Sequence, residues 1–267
     1  FTMKTNKNSF IGVFDSGIGG LSLLPALRSI LPNENFLYVS DDAFAPYGLK
    51  NKESIVNRCE TITDHLLEKG CKLIIVACNT ATTNAIETLR SNYSVPFIGI
   101  EPAIKPAAFK SKSKSIGVLA TEGTLSSSLF AKTSATFAKD VQVIEQMGSG
   151  LVEFIESGSL DDPKLSVLLD SYIKPMLKQN IDTLVLGCTH YPFLLPQLKK
   201  LLPNKVKIID SSDAVAIQTL RVLEKNNLQS SRKEEGSIQY ISSAIESSLL
   251  NFLPKDTNVS MLPNDPI

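Results

Sequence analysis

Tryptophan is absent from this 267-residue chain, and histidine occurs only twice. With two histidines and four scattered cysteines, Cys59, Cys71, Cys78 and Cys188, no run shows the ligand spacing of a usual metal site. No bound metal is therefore expected. The same cysteines are too sparse for a disulfide framework, and no CxxC redox pair is present. Charge of one sign is also lacking, since 27 Lys plus Arg balance 27 Asp plus Glu. Without an arginine-rich face or interleaved aromatics, this balance argues against nucleic acid as a partner. Long apolar runs are missing too: "LIIVA" is far below the ~20 residues that cross a bilayer. The opening "FTMKTNKNSFIGVF" offers only a very short apolar run before Asp15, so no signal peptide is expected. These absences lead to the expectation of a cytoplasmic chain with free thiols and no membrane contact. No Walker-type stretch occurs, and Ser22 stands where a dinucleotide fingerprint starting at Gly17 and Gly19 needs a third glycine. The glycines of "DSGIGG" are instead expected to let backbone amides approach a small anion.

Short β-branched runs alternate with segments of helical spacing. Strands are expected at 10–14, 35–40, 72–77, 96–100, 115–120, 141–145, 182–187 and 205–210. Their apolar character is continuous rather than alternating, which points to parallel sheets covered on both faces by helices. A weak internal repeat is visible: "IGVFDSG" starts at Ile11 and "IGVLATEG" at Ile116. Each Ile-Gly-Val is followed, after about 70 residues, by a cysteine at a strand end, Cys78 and Cys188. The fold class expected is α/β, with two similar parallel-sheet domains facing each other across a cleft. "KSKSKS" (110–115) reads as a solvated loop between domains, 228–237 as a polar connector, and the tail after Pro254 as a mobile stretch with little apolar periodicity.

Cys78 follows "LIIVA" and precedes a helix for which Asn79 or Thr80 is the expected cap. Cys188 follows "TLVLG" and precedes a second helical pattern, with Thr189 beside it and His190 next. A helix N-terminus favours thiolate over thiol. Cys59 and Cys71 read as small buried hydrophobes, and His65 as exposed. Asp15 ends the first strand, where it serves either as a cleft carboxylate or as the cap of the following helix. Two cysteines on opposite walls suit inversion of a stereocentre, because one group must remove a proton from one face while another returns a proton to the other. Nearby Thr, Asn and Ser would hold the carboxylate and ammonium of such a substrate.

Taken in order, "GVFDSGIGGLS", "PYG" (46–48), "ACNTA", "GIEPA" (99–103) and "LGCTHYP" resemble the glutamate racemases, cofactor-independent members of the aspartate/glutamate racemase superfamily. The pairing of "ACNTA" with "GCTHYP" is the specific part of this likeness. The resemblance implies interconversion of L- and D-glutamate, Cys78 and Cys188 as the acid/base pair, and Asp15, His190 and Glu153 as their assistants. It implies substrate contacts from Asp15, Ser16, Tyr47, Gly48, Asn79, Thr80, Thr124, Thr189 and His190. It implies no cofactor, a homodimer, and a role for D-glutamate in peptidoglycan synthesis. The domains it implies are 1–98 with 211–267, carrying Asp15 and Cys78, and 99–210, carrying Cys188 and His190. One departure is Phe44, where many members carry an arginine. A sister racemase of aspartate or a hydantoin is the near alternative, and a protein-binding role, as in regulation of a DNA enzyme, the remote one.

Overall fold

The structure, a computed structural model, describes residues 6–263. The opening residues, on which the expectation of no signal peptide rests, lie partly outside that range. All eight expected strands are present: β1 Ile11–Asp15, β2 Phe36–Ser40, β3 Leu73–Val76, β4 Phe97–Gly99, β5 Ser115–Ala120, β6 Gln142–Met147, β7 Thr183–Gly187 and β8 Lys207–Ile209. Two more, β9 Ile238–Ser242 and β10 Val259–Met261, lie in the C-terminal part. The tail after Pro254 therefore does hold regular structure: β10 pairs in parallel with β9, Val259 opposite Tyr240. Three residues with little buried side chain leave no periodicity to read, and main-chain hydrogen bonds define this strand instead.

The chain divides into two compact units. One runs to Ile100 and resumes at Ser212; the other is Glu101–Ser211. The first holds a six-stranded sheet ordered β10-β9-β2-β1-β3-β4, and the second a four-stranded sheet ordered β6-β5-β7-β8. Every pair in both is parallel. The inner strands β1, β2, β3, β5 and β7 are buried throughout, whereas the edge strands β6 and β8 carry exposed residues such as Lys207. Inner strands lie between helix layers, and charged or polar edges discourage pairing with another sheet. β9 enters beside β2, Phe36 opposite Ile238. The polar connector before it is tied down on the way: Glu34 accepts the Ser230 N–H at 2.7 Å, and Asn35 accepts that of Ser237 at 2.9 Å.

The order β2-β1-β3-β4 matches β6-β5-β7-β8 strand for strand. The repeated Ile-Gly-Val has a packing cause. A Cβ on Gly12 of β1 would lie 3.0 Å from Leu66, and one on Gly117 of β5 would lie 2.8 Å from Met176. Leu66 and Met176 belong to equivalent helices, Lys52–Glu68 and Pro163–Lys178, each preceding the third strand of its unit. A central-strand glycine thus lets that helix close onto the sheet. Both helices also end alike. Gly70 (φ 75°) and Asn180 (φ 56°) adopt the left-handed conformation three residues before β3 and β7. At the first, Cys71 N–H reaches Leu66 O and Gly70 N–H reaches Leu67 O, the paired bonds of a Schellman end. Across the other face of β5, the helices Ile104–Lys110 and Ser128–Phe137 bring Ile104, Ala107 and Phe130 onto Ile116, Val118 and Val185.

"KSKSKS" proves to lie inside the second unit, joining the helix Ile104–Lys110 to β5 rather than linking units. Asp182 accepts the backbone N–H groups of Lys112 at 2.6 Å and Ser113 at 2.8 Å. Partial burial pushes the Asp182 carboxyl up, but the Ser113 and Lys112 amides and the Ser111 and Thr183 hydroxyls outweigh it and hold it below its ordinary value. A lowered carboxyl stabilises the fold above its unfolded value of about 3.9, and that contribution is lost as pH falls through the lower folded value. Asp182→Asn is expected to cost about 1 kcal/mol at pH 7, allowing for solvent screening. Urea unfolding should show the gap between variant and wild type closing below about pH 4.

Candidate active site

In an open parallel sheet, ligands sit beyond the strand carboxyl ends where the strand order reverses. In the first unit that point lies between β1 and β3, with β2 on one side of β1 and β3 on the other. Asp15 is the last residue of β1, and Cys78 comes two residues after β3. Asp15 is fully buried, while Ser16 and Cys78 are 6% exposed. The Ser16 hydroxyl lies 3.3 Å from the Asp15 carboxylate and 3.6 Å from the Cys78 sulfur, so it touches both groups. Asp15 also accepts the Gly17 N–H at 3.0 Å. The 3-10 helix that comes next, Gly19–Leu23, has Ile18 at its N-cap. Gly17 serves Asp15, and a Cβ on Gly20 would lie 2.9 Å from the Tyr38 ring, whose hydroxyl donates to Gly17 O at 2.7 Å.

The cap of the helix Asn79–Asn92 is neither Asn79 nor Thr80 but Cys78 itself, whose sulfur accepts the Ala81 N–H at 3.5 Å. This contact and the positive end of a 14-residue helix favour negative charge on the sulfur. The first turns are locked from below. Thr82 donates to Val76 O at 3.0 Å and accepts the Ile100 N–H at 3.1 Å, while Asn79 donates to Ile100 O at 3.4 Å. Thr80 is buried beside them, and its carbonyl accepts from Asn84 at 2.8 Å. Tyr47 is buried as well and gives its hydroxyl to Asp41 at 2.5 Å; burial, with the charges of Cys59 and Asp41, pushes that phenol well up. Gly48 follows it, partly exposed. Burial likewise pushes the Cys71 thiol up to about 12 and raises Cys59 strongly, so both behave as small hydrophobes.

The second unit repeats the arrangement at the reversal between β5 and β7. Cys188 directly follows β7, 8% exposed, with Thr189 and His190 each 3% exposed. Gly187 permits this close approach, since a Cβ there would lie 2.7 Å from that of Ala120 at the end of β5. Thr124, just beyond β5, is fully buried with its hydroxyl 3.1 Å from that of Thr121. The setting of Cys188 departs from that of Cys78. It leads into a short 3-10 helix, Tyr191–Leu194, with His190 at the N-cap. The partner of Cys188 is a side chain: His190 Nδ1 lies 3.7 Å from the sulfur, and His190 Nε2 lies 2.5 Å from the Glu156 carboxylate.

Glu156, not Glu153, is thus the carboxylate brought to His190. The two stand three residues apart on the helix Leu151–Glu156, whose Leu151 and Ile155 are buried; Glu153 is exposed and Glu156 half-buried. Two tyrosines hold the helix's leading loop, Tyr191 donating to Gly148 O at 3.2 Å and Tyr172 to Ser149 O at 2.8 Å. A Cβ on Gly148 would lie 2.3 Å from the Tyr191 hydroxyl, so only glycine fits there. Both glutamates lie in "GLVEFIE", and only the buried face of so short a helix separates them. His65, expected to be exposed, is half-buried. Among the described residues, no group of three or more His, Cys, Asp or Glu is placed to hold a metal ion.

The sequence pattern of the Asp/Glu/Hydantoin racemase family matches residues 20–219. The chain belongs to the Asp/Glu/Hydantoin racemase family. Among relatives in this racemase family, the glutamate racemase of Pseudomonas aeruginosa is 47% identical over 249 residues, spanning 93% of this chain and 94% of that protein. The crystal structure of glutamate racemase isoform RacE1 from Bacillus anthracis superposes with a TM-score of 0.87 at 29% identity, covering 97% of this chain and 98% of that one. The Escherichia coli glutamate racemase, solved with L-glutamate and the activator UDP-MurNAc-ala, gives a TM-score of 0.82 at 32% identity over 95% of this chain and 98% of that one. For a racemase with this geometry, Glu156→Gln is expected to lower turnover about a hundredfold through loss of the His190 partner. Glu153→Gln, on the exposed side of the same helix, should stay within about twofold. Steady-state racemisation rates of the two variants check this.

Proposed function

We propose that this chain interconverts L- and D-glutamate without a cofactor, with Cys78 and Cys188 as acid/base groups on opposite faces of the substrate. One observation carries the reading: each unit places a cysteine just past its third strand, at the point where strand order reverses. Relatives 47% identical over most of the chain are named glutamate racemases, which supports glutamate rather than aspartate or a hydantoin.

In one direction the thiolate of one cysteine takes the α-proton, the electron pair remains on the α-carbon, and the thiol of the other cysteine gives a proton to the opposite face. The two sulfurs finish with their protonation states exchanged, ready for the reverse direction. Ser16 and Asp15 assist at Cys78, and His190 backed by Glu156 assists at Cys188. The α-proton of an amino acid is a weak acid, so the developing charge needs fixed donors in a site with little water. Buried Ser16, Asn79, Thr80, Thr124 and Thr189 supply hydroxyl and amide groups of that kind. Tyr47 gives its hydroxyl to Asp41, so the Tyr47–Gly48 segment is proposed to meet substrate through its main chain. The proposed setting is a bacterial cytoplasm, where D-glutamate feeds peptidoglycan synthesis, with a homodimer as the working assembly. Among the described residues no helix is long and apolar enough to cross a membrane.

Circular dichroism of L- and D-glutamate, each incubated with the protein alone, tests the reading. Decay of both signals to zero is expected, and glutamate left unchanged while aspartate racemises would overturn the substrate assignment. In heavy water, Cys188→Ser should slow α-proton exchange from one enantiomer by about a hundredfold more than from the other. Equal slowing of both would contradict the two-base assignment. Asp15→Asn should lower turnover while leaving the urea midpoint nearly unchanged, because the amide keeps the side chain's size and an oxygen to accept the Gly17 N–H.

A further inference from the structure

The segment from Asp41 to Gly48 runs from the carboxyl end of β2 to the loop proposed to meet substrate. Its own main chain holds it locally: Phe44 N–H reaches Asp41 O at 3.0 Å, and Lys50 N–H reaches Tyr47 O at 3.0 Å. Two of its side chains, Asp41 and Phe44, meet one residue outside it, Arg58, in the second turn of the helix Lys52–Glu68, and a third, Tyr47, is joined through Asp41. Arg58 Nε donates to Asp41 at 2.9 Å and a terminal guanidinium nitrogen donates to the other carboxylate oxygen at 2.7 Å, a two-pronged pair. The Asp41 side chain is wholly buried and that of Arg58 is 13% exposed. The guanidinium carbon lies 4.3 Å from the centre of the Phe44 ring, within cation–π range. The same Asp41 oxygen that takes the Arg58 Nε–H accepts the Tyr47 hydroxyl at 2.5 Å. Asp41 is also fixed by its main chain, since its N–H reaches Asp15 O at 2.9 Å, one step past the β1–β2 ladder.

Together these contacts tie the start and the middle of the loop to one guanidinium, and its far end to the same carboxylate through Tyr47, next to the strand end that carries Asp15. A bidentate pair fixes orientation as well as distance, and a planar group stacked on an aromatic ring cannot rotate freely. Phe44 forms the apolar floor under Arg58.

We propose that Arg58 is a positioning residue for the reaction: it clamps the loop 41–48 through Asp41 and Phe44, so that the main chain of Tyr47 and Gly48 is held in place for glutamate. The proposal rests on the racemase reading for its substrate, while the clamp itself does not depend on that reading. Arg58→Lys keeps the positive charge but removes the fork and the flat stacking surface. Phe44→Leu removes only the stack and leaves the ion pair intact, so it carries the test if the first variant does not fold.

The experiment measures amide hydrogen exchange over residues 42–50 in the whole protein without substrate, together with KM and kcat for glutamate. In Arg58→Lys the loop amides should exchange about tenfold faster while β1, β3 and the helix Asn79–Asn92 stay as in the wild type. KM should rise about tenfold with kcat within about threefold, as expected when uniform binding is lost. Phe44→Leu should move both readouts in the same direction by less. Loop exchange unchanged in both variants would overturn the proposal. Faster exchange spread over the whole unit would also overturn it, because Arg58 would then be a general stability contact. Faster loop exchange with unaltered KM would leave Arg58 without a role in the reaction and overturn it likewise. A wild type that leaves glutamate unchanged defeats the racemase reading instead, and the exchange data alone then decide whether Arg58 is the clamp.

Discussion

A parallel strand flanked by neighbours whose connections leave in opposite directions has a notch at its carboxyl end that neither connection covers. This constraint governs the rest of the structure. β1 and β5 are such strands, and each unit puts at its notch the residues that carry chemistry: Asp15, Ser16 and Cys78 in one, Thr124, Cys188 and His190 in the other. The notch forms only if the sheet is closely covered by helices, and the central glycines Gly12 and Gly117 allow that cover. A small residue in the middle of a strand thus bears on the position of a sulfur at the end of the next strand.

The two strand-end cysteine settings share placement but not electrostatics. The Cys78 sulfur caps a long helix and takes a backbone N–H, so much of its support is main chain and fixed dipole. Cys188 precedes only a short 3-10 helix, and its support is a titratable side chain backed by a carboxylate. A helix end presents the same field at every pH, whereas an imidazole between a thiol and a carboxylate changes charge with its surroundings. The two cysteines therefore share placement and differ in the groups that surround the sulfur.

Much of the architecture was legible because it rests on local patterns. Continuous apolar runs identified eight strands, and the Ile-Gly-Val pair identified the repeat that the strand order displays. The strands β9 and β10 escaped for the opposite reason: they are only partly buried and defined by main-chain pairing that leaves little trace in side chains. The lysine-rich stretch 110–115 looked like a linker because its composition is polar, yet Asp182 fastens it within one unit from far along the chain. Long-range hydrogen bonds of this kind have no periodicity to read.

By itself the sequence determined the fold class, the paired cysteines and the family, because hydrophobic period, strand-end motifs and their order are properties of the chain alone. Only the tertiary structure decided that Cys78 caps its own helix, that Glu156 rather than Glu153 meets His190, and that Arg58 joins Asp41 and Phe44. Each of those outcomes depends on which face of an element turns inward and on what a distant segment brings to it. Such contacts are set by packing in three dimensions, and residues spaced three apart on a short helix carry no local mark of which one will be used.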